Sequence, residues 1–230
     1  HSSVTSPYLS LCSANLPDTT LSPNQLEQAD DHFNTLLYTG NSTNNRAITG
    51  LGFQPDWIWI KKRSGAQEHV LFDSSRGATK RLFTNLTNAE SNEATSLKAF
   101  TSSGFTLGTH SSVNDNTETF VAWNWKANGG TTSSNTDGSI TSTVQANTTA
   151  GFSIVTYTGN ATSGATIGHS LTSPLDMLIV KSRDSGVHNW ITWHNALSSG
   201  YFINLNLTAG QINATARFTT TVPTSSVFSL

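Results

Sequence analysis

The chain has 230 residues and a formal net charge of −2, and only 11% of its residues are Asp, Glu, Lys or Arg. No basic stripe is present to neutralise phosphates, which argues against a nucleic-acid partner. No apolar run approaches the ~20 residues of a membrane-spanning helix, so no membrane insertion is expected. Ser and Thr exceed a quarter of the residues, so hydroxyls and amides rather than charges carry solubility, a balance common in extracellular β-proteins. The one cysteine, Cys12, excludes an internal disulfide and a thiolate metal cluster.

In chain order, residues 1–31 read as an N-terminal connecting arm. They hold a short apolar piece at 8–11 and a helix start at Ser22-Pro23, with Ser as cap and Pro at the first helical position. A first unit spans 32–127. It opens with a strand at 33–39 and an Asn- and Gly-rich hairpin loop at 40–46. Its centre is Trp57-Ile58-Trp59-Ile60, which follows a Pro-Asp turn and ends in a basic cluster. Period 2 puts the two tryptophans on one face and the two isoleucines on the other, both apolar, as in a central strand covered on both sides. Strands at 69–73 and 81–86 follow, then an acidic, Asn-rich stretch read as a helical turn. Short strands around Phe100, Phe105 and Leu107 come next, and 120–126, FVAWNWK, closes the unit.

Residues 128–150 are Gly-, Ser-, Thr- and Asn-rich and read as a linker or exposed loop with one weak strand near Ile140 and Val144. A second unit spans 151–230, with strands expected at 152–157, 177–181, 190–194, 201–207 and 217–222. It repeats the first. Tyr38-Thr39-Gly40-Asn41 matches Tyr157-Thr158-Gly159-Asn160, and GLGFQPDWIWIKKR matches SLTSPLDMLIVKSR. His69 is matched to His188, Asn85-Leu86-Thr87 to Asn206-Leu207-Thr208, and Phe105-Thr106-Leu107 to Phe228-Ser229-Leu230. Unit two therefore has no partner for FVAWNWK and reads as incomplete, with an open sheet edge. Leu230 is accordingly expected to be continued by further chain or covered by a second subunit. Short strands, turn-rich joints and little helix give the fold class: all-β, antiparallel β-sandwich of the jelly-roll or lectin-like kind, duplicated.

No nucleophile elbow, His-Glu-x-x-His helix or phosphate loop occurs, and Asp56, Glu68, Asp73 and Glu118 are too scattered for a glycosidase pair. No catalytic residue, metal or cofactor is expected. Asp56 and Asp176 read as turn residues, and Asn114-Asp115-Asn116 as a hydrated turn rather than a Ca²⁺ loop. The six tryptophans are the remaining signal. Trp57 and Trp59 read as core, while Trp190 and Trp193, three apart, must face opposite sides of a strand. Trp190, His194 and Tyr201 are nominated as glycan-binding residues, because ring stacking and hydrogen bonding to a sugar use such groups.

GFQPDWIWIKKR, FDSSRGATKRL, SSGFTLG, FVAWNWKANGG, HNWITWH, NLNLT and PTSSVFSL together resemble a repeat domain of tail-fibre and other virion proteins of tailed phages, especially marine and cyanobacterial ones. YLSLCSANLP resembles the segment that joins that repeat to an upstream domain. The resemblance implies a non-enzymatic structural or adhesive protein at the virion surface, extracellular to the host. It also implies other fibre subunits as partners, a homo-oligomer (typically a trimer), and host-surface glycan as a ligand. A glycan depolymerase of a tailspike and a non-viral extracellular filament or adhesin subunit are the alternatives.

Overall fold

The computed structural model describes residues 28–213 and 222–230. The helix start at Ser22, Cys12 and most of the strand expected at 217–222 lie outside the described residues. In unit one the strands are β1 (Phe33–Thr39), β2 (Arg46–Thr49), β3 (Trp57–Lys62), β4 (Val70–Asp73), β5 (Lys80–Phe83), β6 (Ser91–Asn92), β7 (Leu97–Thr101), β8 (Gly104–Leu107) and β9 (Thr119–Trp125). A single four-residue helix, α1 (Ser111–Asn114), precedes β9. The expected helical turn after residue 86 is instead the short strand β6, which pairs with β5 and extends the sheet edge.

The strands form a sandwich. One layer is a six-stranded antiparallel sheet in the order β1-β9-β3-β4-β5-β6, and the other is the three-stranded sheet β2-β8-β7. The alternation read from the sequence places Ile58 and Ile60 inward, both fully buried. They join Val70, Phe72, Phe120 and Ala122 of the large sheet against Ile48, Leu97, Phe105 and Leu107 of the small one. Burial of each Val, Leu, Ile or Phe among them is worth about 1.5–3 kcal/mol. Tyr38 stacks on Phe120 at 5.2 Å between ring centroids, and its hydroxyl donates to the Val113 carbonyl at 2.8 Å. Burial pushes that phenol far above its ordinary pKa.

Between the units lie β10 (Ser133–Asn135) and β11 (Ser142–Asn147), and unit two carries β12 (Phe152–Tyr157), β13 (Thr166–Gly168), β14 (Met177–Val180), β15 (Ile191–His194), β16 (Tyr201–Asn204), β17 (Ile212–Asn213) and β18 (Val227–Ser229). The sheet β14-β15-β16-β17 repeats β3-β4-β5-β6, and the pair β13-β18 repeats β2-β8. An all-β, antiparallel sandwich is thus the fold of the chain.

The stretch at 128–150 is not an exposed loop with one weak strand. It supplies two strands, β10 and β11, that pair in series onto β12. Gln145 on β11 is fully buried. Its carbonyl accepts from Asn128 N at 3.0 Å and Gly130 N at 2.8 Å, and its amide donates to the hydroxyls of Ser74 and Ser75. One side chain thereby ties the segment to unit one.

Backbone bonds show which residues of the two units correspond. His69 N donates to Asn85 Oδ1 and Trp190 N to Asn206 Oδ1, both at 2.9 Å. Lys61 Nζ donates to the Gln67 carbonyl, and Lys181 Nζ to that of His188. The structural partner of His69 is therefore Trp190, not His188. A loop longer by one residue between β14 and β15 accounts for the shift, which matching by residue type could not see.

Candidate functional site: an aromatic seam between the units

The face of the large sheet opposite the core carries Trp57 and Trp59 from β3, and Trp123 and Trp125 from β9. Cross-strand register sets Trp57 beside Trp125 and Trp59 beside Trp123, with Phe33 of β1 completing the row next to Trp125. Phe33 and Trp125 lie 4.7 Å apart between centroids, and Trp59 and Trp123 5.8 Å. Trp57 and Trp59 are thus half-buried on the outer face rather than in the sandwich core.

Unit two covers part of this row. Phe152 packs within 6.2 Å of both Trp57 and Trp125. Trp190 seals the joint with Leu71, Leu82 and Ile179. It is only 2% exposed, and its indole N–H donates to the carbonyls of Phe83 at 2.8 Å and Leu86 at 3.1 Å. Beside it, Glu90 takes a bidentate bond from Arg183 at 2.9 and 3.2 Å, and its own N–H donates to the Arg183 carbonyl.

A cavity of about 360 Å³ remains at the joint. Unit one lines it with Trp59, His69, Thr84 and Asn85, and unit two with Leu205, Asn206, Leu207 and Thr208. Its volume falls within the range of small-ligand sites. Trp59 Nε1 and Thr84 Oγ1 are buried with no hydrogen-bond partner, whereas the two asparagines spend their carbonyls on the strand caps described above. Burial, reinforced by the charge of Lys61, holds the His69 imidazole below its usual pKa, with Glu68 opposing, so the ring is neutral at pH 7. The lining contains neither Asp nor Glu. Such a site offers one indole ring with its N–H, the hydroxyls of Thr84 and Thr208, and a neutral imidazole: groups that stack on and hydrogen-bond an uncharged polyol.

The three residues nominated from sequence are not brought together. Trp190 is no surface platform, because its ring is buried in the joint and its N–H is spent. His194 is exposed at the opposite end of β15, about 13 Å along a strand at ~3.3 Å per residue, and its Nδ1 accepts from Ala196 N. Tyr201 is half-buried on β16, and the β15–β16 register carried along sets it across from His194. None of the three lines the cavity. The sequence marks these walls only as a repeat landmark: the repeated Asn-Leu-Thr supplies Asn85 on one wall and Asn206, Leu207 and Thr208 on the other.

Asn114 is fully buried and committed to structure. Its carbonyl accepts from Asn41 N and Arg46 Nη1, and its amide donates to the carbonyls of Thr43 and Gly108. Neighbouring Asp115 pairs with Lys62 at 3.0 Å. Among the described residues no cluster of three or more His, Cys, Asp or Glu is placed to hold a metal.

Fold and site define a duplicated antiparallel β-sandwich protein with an aromatic seam where its halves meet. The chain belongs to the family described as Domain of unknown function (DUF7483), whose model matches residues 28–230. No curated protein and no solved structure matches it.

Proposed function

We propose that the protein is a non-enzymatic structural and adhesive module of a tailed-phage virion. In this reading it stands at the virion surface as part of a fibre, assembles with other fibre subunits as a homo-oligomer of three copies, and touches host-surface glycan. The observation that carries the glycan part is the seam cavity. Two buried polar groups of its lining residues, Trp59 Nε1 and Thr84 Oγ1, are unpaired, and the Trp59 ring and a neutral histidine stand with them. A sugar ring supplies apolar C–H faces for the aromatic ring and hydroxyls for the unpaired groups. Hydrolysis by paired carboxylates needs two of them about 5–9 Å apart, and the lining has neither, which favours binding over cleavage at this place.

The test is tryptophan fluorescence of the purified chain titrated with neutral oligosaccharides from host envelopes, with Thr208→Trp as the control. Thr208 is exposed at the rim, so the larger side chain blocks the cavity without entering the core. Saturable quenching that Thr208→Trp abolishes supports the reading; quenching unchanged by the substitution, or none at all, removes the cavity as the sugar site. Antibody labelling of intact virions checks the location, and unlabelled virions would refute it.

A further inference from the structure

In unit one, β9 lies between β1 and β3 and pairs antiparallel with both, over seven residues of β1 and six of β3. Among the described residues, the counterpart of β1, β12, pairs only with β11, and the counterpart of β3, β14, pairs only with β15. Yet Val155 and Tyr157 of β12 and Leu178 of β14 belong to one apolar cluster. The two strands thus share a core with no strand among the described residues bridging their backbones. We propose that their facing edges form a slot for a β-strand of the chemistry of β9: an extended peptide with Phe and Ala on its inward face, followed by a Gly-containing turn.

Three differences between the units mark the slot. Ile58 and Ile60 are fully buried beside β9, whereas their counterparts Leu178 and Val180 are half-buried and Met177 is 51% exposed. Asp56 is fully buried because the turn after β9 encloses it. Its carboxylate accepts from Ala127 N and Gly129 N, each at 2.8 Å, and its own N–H donates to the Trp125 carbonyl at 2.8 Å. Asp176 keeps only the bonds that do not involve a strand of this kind: Asn195 N donates to its carbonyl and Asn195 Nδ2 to its carboxylate. Asp176 is exposed, whereas Asp56 is fully buried. Lastly, a Cβ on Gly40 would meet the Asp115 carbonyl, on the segment leading into β9, at 1.9 Å, whereas Gly159 has nothing within 4 Å. Among the described residues of unit two nothing stands where unit one has this strand, its turn and its lead-in.

The experiment titrates a fluorescent synthetic peptide copying residues 118–130 onto the whole chain, with amide hydrogen exchange as the second readout. The expected result is saturable binding, with new protection confined to Phe152–Tyr157 and Met177–Val180, and no binding by a scrambled peptide. Asp176→Ala should weaken binding at least tenfold while leaving the melting temperature of the free chain unchanged, because its side chain is exposed. Absence of binding overturns the proposal, as does protection appearing in unit one. So does a free chain that is already a dimer with both edges protected, since the occupant would then be a second copy. The sugar titration is independent of every one of these outcomes.

Discussion

Trp190 of unit two donates its indole N–H to the Phe83 carbonyl of unit one at 2.8 Å, across 107 residues of sequence. The bond fixes the joint because the ring around it is buried on the outer face of the first sheet. Trp190→Ala should cost about 3–5 kcal/mol, the range for deleting a buried aromatic. Trp190→Phe should cost less, about 1–3 kcal/mol, chiefly for the indole hydrogen bonds lost at the carbonyls of Phe83 and Leu86. Urea melts followed by fluorescence check both. A Trp190→Ala chain that unfolds in one step at the wild-type midpoint would contradict the role given to this ring.

Asp56 and Asp176 stand at the same place in the repeat and should respond differently. Removing the Asp56 carboxylate orphans the buried Ala127 amide and takes an acceptor from the Gly129 amide and the Ser74 hydroxyl, so Asp56→Ala should cost about 2–4 kcal/mol as a broken network around a buried carboxylate. Asp176→Ala, at an exposed position, should fall within about 0.5 kcal/mol of wild type. Equal losses from the two variants would mean that the environments are not as described.

The difference between these two aspartates shows what the sequence could carry. Both read as turn residues from their Pro-x-Asp or Pro-Asp context, but nothing local says that a turn some seventy positions on encloses one of them. The central strand was legible because alternation of Trp and Ile is a local property. What lies over the tryptophan face was not, since its cover comes from Phe152 and Trp190 in the other unit. Trp190 was misjudged for the same reason: period 2 assigns it a face, and only the packing of one unit on the other says that the face is closed. The segment at 128–150 has the composition of a linker, and its strands are held by buried amides, Gln145 and Asn147 among them, that composition cannot single out. The cavity was not legible: the repeated Asn-Leu-Thr reads only as a landmark of the duplication, and nothing local says that its two copies face each other across a joint.

Acid should loosen the joint through Glu90. Burial acts to raise its pKa, but hydrogen bonds from Arg183 and Arg76 outweigh that and hold it below the usual carboxylate value. A group whose folded pKa is depressed contributes stability that is present above its unfolded pKa, near 4.3, and is lost as pH falls through the folded value. His69, held low by burial and then by Lys61, adds an earlier loss that begins as pH drops below about 6.5, where the unfolded imidazole takes up a proton and the folded one resists. Melting temperatures from pH 8 to pH 3 for wild type and Glu90→Gln test the carboxylate part. The gap between them should be widest near neutrality and close below the carboxylate range. A gap that stays constant with pH would assign the effect of the variant to packing instead.

The two Tyr-Thr-Gly-Asn landmarks give the sharpest test of how the repeats differ. Gly40 donates its N–H to the Glu118 carbonyl at 2.7 Å and accepts from Thr117 N at 3.0 Å, so it sits at the mouth of the β1–β9 pairing. A Cβ there would stand 1.9 Å from the backbone oxygen of Asp115, a group held by its neighbours in α1 and β9 that cannot swing away like the end of a long side chain. Gly40→Ala must therefore push apart the segment that carries Asn114 and the Lys62–Asp115 pair, and a loss of about 2–4 kcal/mol is expected from overpacking at a fixed backbone. Gly159 holds the same place in the repeat with open space around its Cα. Gly159→Ala should be neutral or add up to about 1 kcal/mol, because it narrows the unfolded ensemble without a clash. Denaturation midpoints of the two single variants check the contrast. If Gly159→Ala proved as damaging as Gly40→Ala, some group would have to occupy the space beside β12, and the difference between the two units would vanish at that point.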